Sequence, residues 1–140
     1  EKMADAVTSQ TIIDTEKRVV MKFTNLSDGN GESAVKKVDV SALTAHPDGT
    51  ACSQVTIDQI WYDIGGMRLA IYHDASTSAL ALVLGGSAAA GNVQGHMDFR
   101  SFGGIKNTEA SGVDGDIDLT TSGHTNLDHY TIVLELRKSY

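Results

Sequence analysis

Apolar residues recur at every second position in one segment after another, and no window shows a sustained 3.6-residue apolar period with helix caps. This constrains the fold more than any other feature. Successive side chains of a strand point to opposite faces, whereas a helix face repeats every three to four residues. Val19, Met21 and Phe23 alternate with Val20, Lys22 and Thr24, and residues 33–40 alternate again. The richest run, 54–64, carries Val55, Ile57, Ile60, Tyr62 and Ile64. Its apolar phase slips by one between Ile57 and Ile60, which predicts a β-bulge near Asp58 and Gln59. Leu69, Ile71 and His73 share a face of the next strand, and Leu80, Leu82 and Leu84 form the apolar face after it. His96 to Phe99 reads as a short strand. Residues 116–121 place Ile117 and Leu119 inward with Asp116 and Asp118 outward. Residues 129–138 place Ile132, Leu134 and Leu136 inward with Val133, Glu135 and Arg137 outward.

Gly, Asp, Asn and Ser punctuate these runs, at Ser27-Asp28-Gly29-Asn30-Gly31, at His46-Pro47-Asp48-Gly49 and at Phe102-Gly103-Gly104. Gly65-Gly66 reads as the turn of a hairpin joining 54–64 to 67–73. The Gly/Ala-rich stretch 85–95 reads as a mobile loop. Seven to nine short strands without alternating helices predict an all-β fold, an antiparallel β-sandwich or jelly roll. An antibody-type domain is disfavoured, because the Cys pair around a Trp is absent. Residues 16–140 form a single sandwich domain on this reading. Residues 1–15 are either an N-terminal arm or the domain's first strand.

Composition narrows the function classes. The chain has 140 residues and is 41% hydrophobic, which suits one domain with its own core and excludes a disordered chain. One Cys cannot staple a small secreted scaffold. A net charge of −7 argues against nucleic acid, which is bound by clustered Lys and Arg. The basic residues occur only as short pairs, Lys17-Arg18, Lys36-Lys37 and Arg137-Lys138, which read as solvated strand ends and turns. The most apolar stretch, 79–84, is six residues long and far below the roughly 18–20 needed to cross a bilayer, so no membrane partner is expected. The N-terminus lacks the apolar core of a signal peptide, and Met3 is the expected native start.

Candidate chemistry is sparse. Asp114, Asp116 and Asp118 alternate as calcium-loop carboxylates do, but Gly stands second, where an EF-hand needs it sixth, and Thr125 stands twelfth, where it needs Glu. On a strand these three carboxylates share the solvent face. His124, Asp128 and His129 are ligand-type residues near one turn, with spacing looser than a zinc pair requires. His73 at a strand end reads as a hydrogen-bonded turn residue, and Cys52 as a buried structural thiol. No G-x-S-x-G elbow and no Walker A loop is present. The expected function is therefore non-enzymatic, with no cofactor, no catalytic residue and no metal ligand. Trp61-Tyr62 offers an aromatic platform for sugar, with one of the two in the core and the other exposed.

Several segments together carry a resemblance. They are Ala4-Asp5-Ala6-Val7-Thr8-Ser9-Gln10-Thr11, Val20-Met21-Lys22-Phe23-Thr24-Asn25, Lys37-Val38-Asp39-Val40-Ser41-Ala42-Leu43 and Val55-Thr56-Ile57-Asp58-Gln59-Ile60-Trp61-Tyr62. Further along are Phe99-Arg100-Ser101-Phe102-Gly103-Gly104, Gly112-Val113-Asp114-Gly115-Asp116-Ile117, Thr121-Ser122-Gly123-His124 and Tyr130-Thr131-Ile132-Val133-Leu134-Glu135-Leu136. Over nearly its whole length the chain resembles a family of small virion structural proteins of tailed phages, notably cyanophages. The resemblance implies a capsid decoration, or cement, protein on the outer head surface. It would bind the major capsid protein or other virion proteins, as a homo-oligomer, often a trimer. A neck or tail component and a surface carbohydrate-binding module are the alternatives.

Interfaces favour aromatic residues, Met and Arg. The interface candidates are accordingly Trp61, Met67, Arg68, Phe99, Phe102 and Tyr140, with Val7, Ile12 and Ile13 for an arm docked on a neighbour.

Overall fold

A computed structural model describes residues 6–29, 31–85, 92–108, 112, 115–123 and 126–140. Nine strands form in chain order: β1 (Ala6–Asp14), β2 (Arg18–Asp28), β3 (Val35–Val38), β4 (Gln54–Gly65), β5 (Arg68–His73), β6 (Ala79–Gly85), β7 (Asn92–Asp98), β8 (Ile117–Ser122) and β9 (Asn126–Ser139). They make two antiparallel sheets. One has five strands in the order β1-β2-β9-β4-β7, and the other has four in the order β3-β8-β5-β6.

The order has a simple origin. β2 pairs with β9, β3 with β8, β4 with β7 and β5 with β6. The chain from β2 to β9 is thus one long hairpin with its tip at β5–β6, rolled so that its strand pairs fall alternately into two layers. β4–β9 and β5–β8 contacts close the roll. This is the jelly-roll variant of the expected sandwich, with β1 added beside β2.

Period-two patterning builds the core between the layers. In the five-stranded sheet the rows Met21–Leu134–Ile60 and Phe23–Ile132–Tyr62 follow from the pairing, and Phe23, Ile60, Ile132 and Leu134 are fully buried. The opposite layer contributes Leu69, Ile71, Ile117 and Leu119, also fully buried. The phase slip in β4 is a real bulge, since its register against β9 shifts between Ile57 and Gln59. A second bulge lies between Ile71 and Tyr72 of β5 and the facing stretch of β6, where Leu82 and Leu80 are successive partners. It turns Leu80 out to solvent at 55% exposure, so the expected Leu80–Leu82–Leu84 face does not hold together.

Three other expectations fail for local reasons. β4 and β5 are not a hairpin. β4 ends in the five-stranded sheet and β5 begins in the four-stranded one, with Gly65-Gly66 turning the corner between layers. Gly66 has φ +79, and a Cβ there would collide with the Asp128 carboxylate, so the corner requires glycine. The stretch 85–95 is not wholly a loop. Residues 92–95 belong to β7, which pairs with β4, and residues 86–91 lie outside those described. Asp116 and Asp118 are buried rather than solvent-facing. Asp116 Oδ1 accepts from Val40 N at 2.9 Å and Oδ2 pairs with Lys36 at 2.6 Å, which draws the carboxylate under the β3 edge.

Two of the three basic pairs are not simply solvated either. Lys17 and Arg18 are both exposed as expected. Neighbours on a strand point opposite ways, however, so the pairs Lys36-Lys37 and Arg137-Lys138 are split. Lys36 and Arg137 side chains are 47% exposed, whereas Lys37 and Lys138 are buried. Lys37 pairs with Glu32 at 2.5 Å inside a polar cluster. There Glu32 Oε1 accepts from Tyr130 Oη at 2.5 Å and from Asn25 Nδ2 at 2.7 Å. Lys138 binds the Asp14 carboxylate and donates to Thr44 O at 2.9 Å, tying the end of β1 to the body. Burial raises the Asp14 carboxyl, but the bonds from Lys138 and Thr44 outweigh it and hold the group below its usual range.

Candidate functional site: the outer face and edges of the five-stranded sheet

The five-stranded sheet is wider than its cover. In the row Val7–Asn25–Tyr130–Ile64–Val93 all side chains face the second layer, by register. Tyr130 and Ile64 at its centre are 1% and 0% exposed, but Val7 at the end is 41% exposed. In the row Thr11–Met21–Leu134–Ile60–Met97, Leu134 is fully buried and Met97 is 37% exposed. Both flanks, β1 and β7, therefore carry core-type residues past the limit of the opposite layer.

These flanks are also open edges. β1 carries no charged residue from Ala6 to Ile13, and β7 none before Asp98. Edge strands normally carry Lys, Pro or inward charge that blocks pairing with another chain. The β3 edge fits that rule, being four residues long with Lys36 and Lys37, while β1 and β7 do not. β1 pairs with β2 in the chain's own sheet, with a register shift between Thr11 and Ile13. Ile12, at that shift, is 49% exposed, and Ile13 is half-buried.

The outer face of the same sheet has its own geometry. Cross-strand pairing places Val133, Trp61 and His96 in one row and Thr131, Asp63 and Gln94 in the next. Trp61 stacks on His96, with ring centroids 4.8 Å apart and planes 11° apart. His96 Nε2 hydrogen-bonds Gln59 Oε1 at 2.8 Å, which fixes the imidazole upright. The two rows, with Tyr62 and Gly95, line an open groove of about 470 Å³. Its Asp63 Oδ1 is enclosed and has no hydrogen-bond partner among the described residues. Trp61 is the exposed member of the Trp61-Tyr62 pair, and Tyr62 packs against the core.

The remaining candidates divide. Met67 and Phe99 are core residues, 1% and 6% exposed, and neither presents a side chain to a partner. Met67 points inward because it turns the corner into β5, and Phe99 because it follows β7 back over the core. Phe102, at 66% exposure, leans on Phe99 with centroids 6.0 Å apart, and Arg68 is exposed. Tyr140 is 41% exposed, packs edge-on against His46 and donates to Glu16 O.

His73 is buried, with Nε2 3.3 Å from Ile105 O, and burial pushes its pKa below the usual imidazole value. Cys52 is buried, and burial pushes its thiol up, away from the reactive thiolate. Asp114 and His124 lie outside the described residues; Asp128 and His129 sit at the start of β9 against the Gly65-Gly66 corner. Among the described residues no three His, Cys, Asp or Glu side chains group so as to hold a metal ion. No helix of the described residues is long and apolar enough to cross a membrane.

Sequence reasoning missed Asp63, Gln94 and Thr131. Their common signal is positional, because Asp63 stands two residues from Trp61 and so shares its face, but the β7 and β9 partners follow only from register. No protein-family model matches the chain, and no curated protein matches it.

Proposed function

We propose that this chain is a non-enzymatic structural protein of a tailed-phage virion. It decorates the outer head surface and stabilises the capsid by binding the major capsid protein lattice, as a homo-oligomer with a trimer as the expected form. The observation that carries the reading is the pair of open flanks. β1 offers a nine-residue edge that pairs on its outer side with no other described strand, with uncovered Val7 and Ile12 beside it. Added strands gain affinity from main-chain hydrogen bonds and specificity from alternate side chains. The closed core and paired interior charges make a rigid body on which such an edge is held in place. Jelly rolls occur in capsid proteins and in lectins alike, so the fold supports the role without selecting it.

Counting copies per virion tests the placement. Hundreds of copies are expected for head decoration, and six or twelve would move the protein to the neck or tail. Removing residues up to Thr15 is expected to abolish capsid binding. Unchanged binding and oligomer mass would remove β1 from the interface.

A further inference from the structure

We propose that the groove on the outer face of β9, β4 and β7 binds a neutral pyranose sugar, with Trp61 as the stacking platform and Asp63, Gln94 and Thr131 as hydrogen-bonding partners. This goes beyond the assembly role, and it uses a different surface. The open edges of β1 and β7 bound the sheet, whereas this groove lies on its face.

The argument starts from what an exposed Trp on a sheet requires. Trp61 is 37% exposed although the core has room for large apolar side chains such as Phe23 and Tyr130. It is held upright rather than laid flat, because His96 stacks on it and Gln59 anchors His96. An indole fixed in this way loses little side-chain freedom when a ligand arrives, which lowers the cost of binding. The C–H face of a pyranose stacks on such a ring.

Asp63 supplies the second requirement. Residues two apart on a strand lie about 6.7 Å apart on one face, roughly the width of a pyranose with its hydroxyls. Asp63 lines the groove, and its Oδ1 is enclosed with no hydrogen-bond partner among the described residues. Because Oδ1 itself is shielded, sugar hydroxyls donate to the groove-facing side of the carboxylate, a strong acceptor. Gln94 and Thr131 flank Asp63 on the neighbouring strands, adding an amide and a hydroxyl that can each donate and accept. Aromatic stacking beside a carboxylate, an amide and a hydroxyl matches the alternation of C–H face and hydroxyl rim in a sugar.

The lining also excludes neighbouring ligand classes. Among the described residues no Lys or Arg lines the groove, and Asp63 repels anions, so uronic acids and phosphates are disfavoured. A quaternary ammonium ligand needs several aromatic walls around its charge. Here Trp61 and Tyr62 both line the groove, but Tyr62 packs against the core and the His96 ring is already stacked on Trp61. The groove is open and about 470 Å³, which suits one or two sugar units of a longer chain.

Trp61 is the only tryptophan in the chain, so its emission reports the site directly. The experiment titrates the intact protein with methyl glycosides of glucose, galactose, mannose and N-acetylglucosamine, with glucuronate and choline as contrasting probes. The expected result is a saturable change in Trp61 emission with at least one neutral glycoside, with a dissociation constant on the order of 1 mM, and none with glucuronate or choline. Asp63→Asn is expected to weaken that binding about tenfold while the circular dichroism spectrum stays unchanged. Trp61→Ala, followed by saturation-transfer NMR on the glycoside, is expected to abolish it. No saturable response to any neutral glycoside would overturn the proposal. So would a response confined to choline or glucuronate, or undiminished binding by Asp63→Asn. Gln94→Ala gives an independent check should Asp63→Asn fail to fold. Capsid binding by these variants is expected to be normal, so loss of the sugar site and loss of the assembly role are told apart.

Discussion

Tyr130 and Val7 stand in the same row of the five-stranded sheet and face the same way, yet one is 1% exposed and the other 41%. The difference is cover. Four strands lie opposite five, so the centre of the large sheet is sealed by Leu69, Ile71, Ile117 and Leu119, while its flanks carry apolar side chains into solvent. The centre has the chemistry of stability, and the flanks have the chemistry of contact with something else. A protein selected only to fold would trim or charge those flanks, as the short β3 edge with its two lysines is charged.

The sharpest way to break this contrast is to damage the centre. Glu32→Gln leaves Lys37 buried without its counter-charge, in a cluster that also loses the carboxylate acceptor of Tyr130 and Asn25. A loss of about 3–5 kcal/mol is expected in urea denaturation. Leu134→Ala, in the sealed row, is expected to cost about 2–5 kcal/mol. The same truncations at the flanks, Val7→Ala and Met97→Ala, are expected to cost under about 0.5 kcal/mol. Equal losses at centre and flank would show that the flanks are covered after all.

A smaller effect belongs to His73, deep in the centre. Burial holds its folded pKa below the unfolded value of about 6.5, so the unfolded chain binds the extra proton first. Its contribution is intact above about pH 6.5. As pH falls below that value stability is lost, at no more than about 1.4 kcal/mol per pH unit, until the folded imidazole also protonates. Thermal melts between pH 8 and pH 5 are expected to show this decline, and His73→Gln is expected to flatten it. A decline that persists unchanged in the variant would assign it to other groups. The smallest change in stability is expected for Ile12→Lys on β1, within about 0.5 kcal/mol. The same substitution is expected to abolish assembly, because Lys is the residue that protects edges.

Much of this was legible in the chain because it is local. The slip between Ile57 and Ile60 announced the β4 bulge, and the alternation around Ile117, Leu119, Ile132 and Leu134 named the core face correctly. What depends on distant pairing was not legible. Gly65-Gly66 signals a turn, but nothing in the dipeptide says whether the chain turns within a sheet or between layers. Lys36-Lys37 looks like any solvated pair until Glu32 is placed beneath it. Leu80 alternates properly with Leu82, and only the bulge opposite Tyr72 turns it outward. The groove shows the same limit. Trp61 was visible, but Gln94 and Thr131 reach it through β7 and β9, whose register no short motif encodes.

Hydrogen exchange of the protein, free and bound to capsids, tests the central contrast most directly. The account predicts slow exchange in β2, β4 and β9 in both states, with β1 exchanging fast when free and becoming protected on the particle. β1 amides that are as slow as β9 in the free protein, or that gain no protection on capsids, would contradict it.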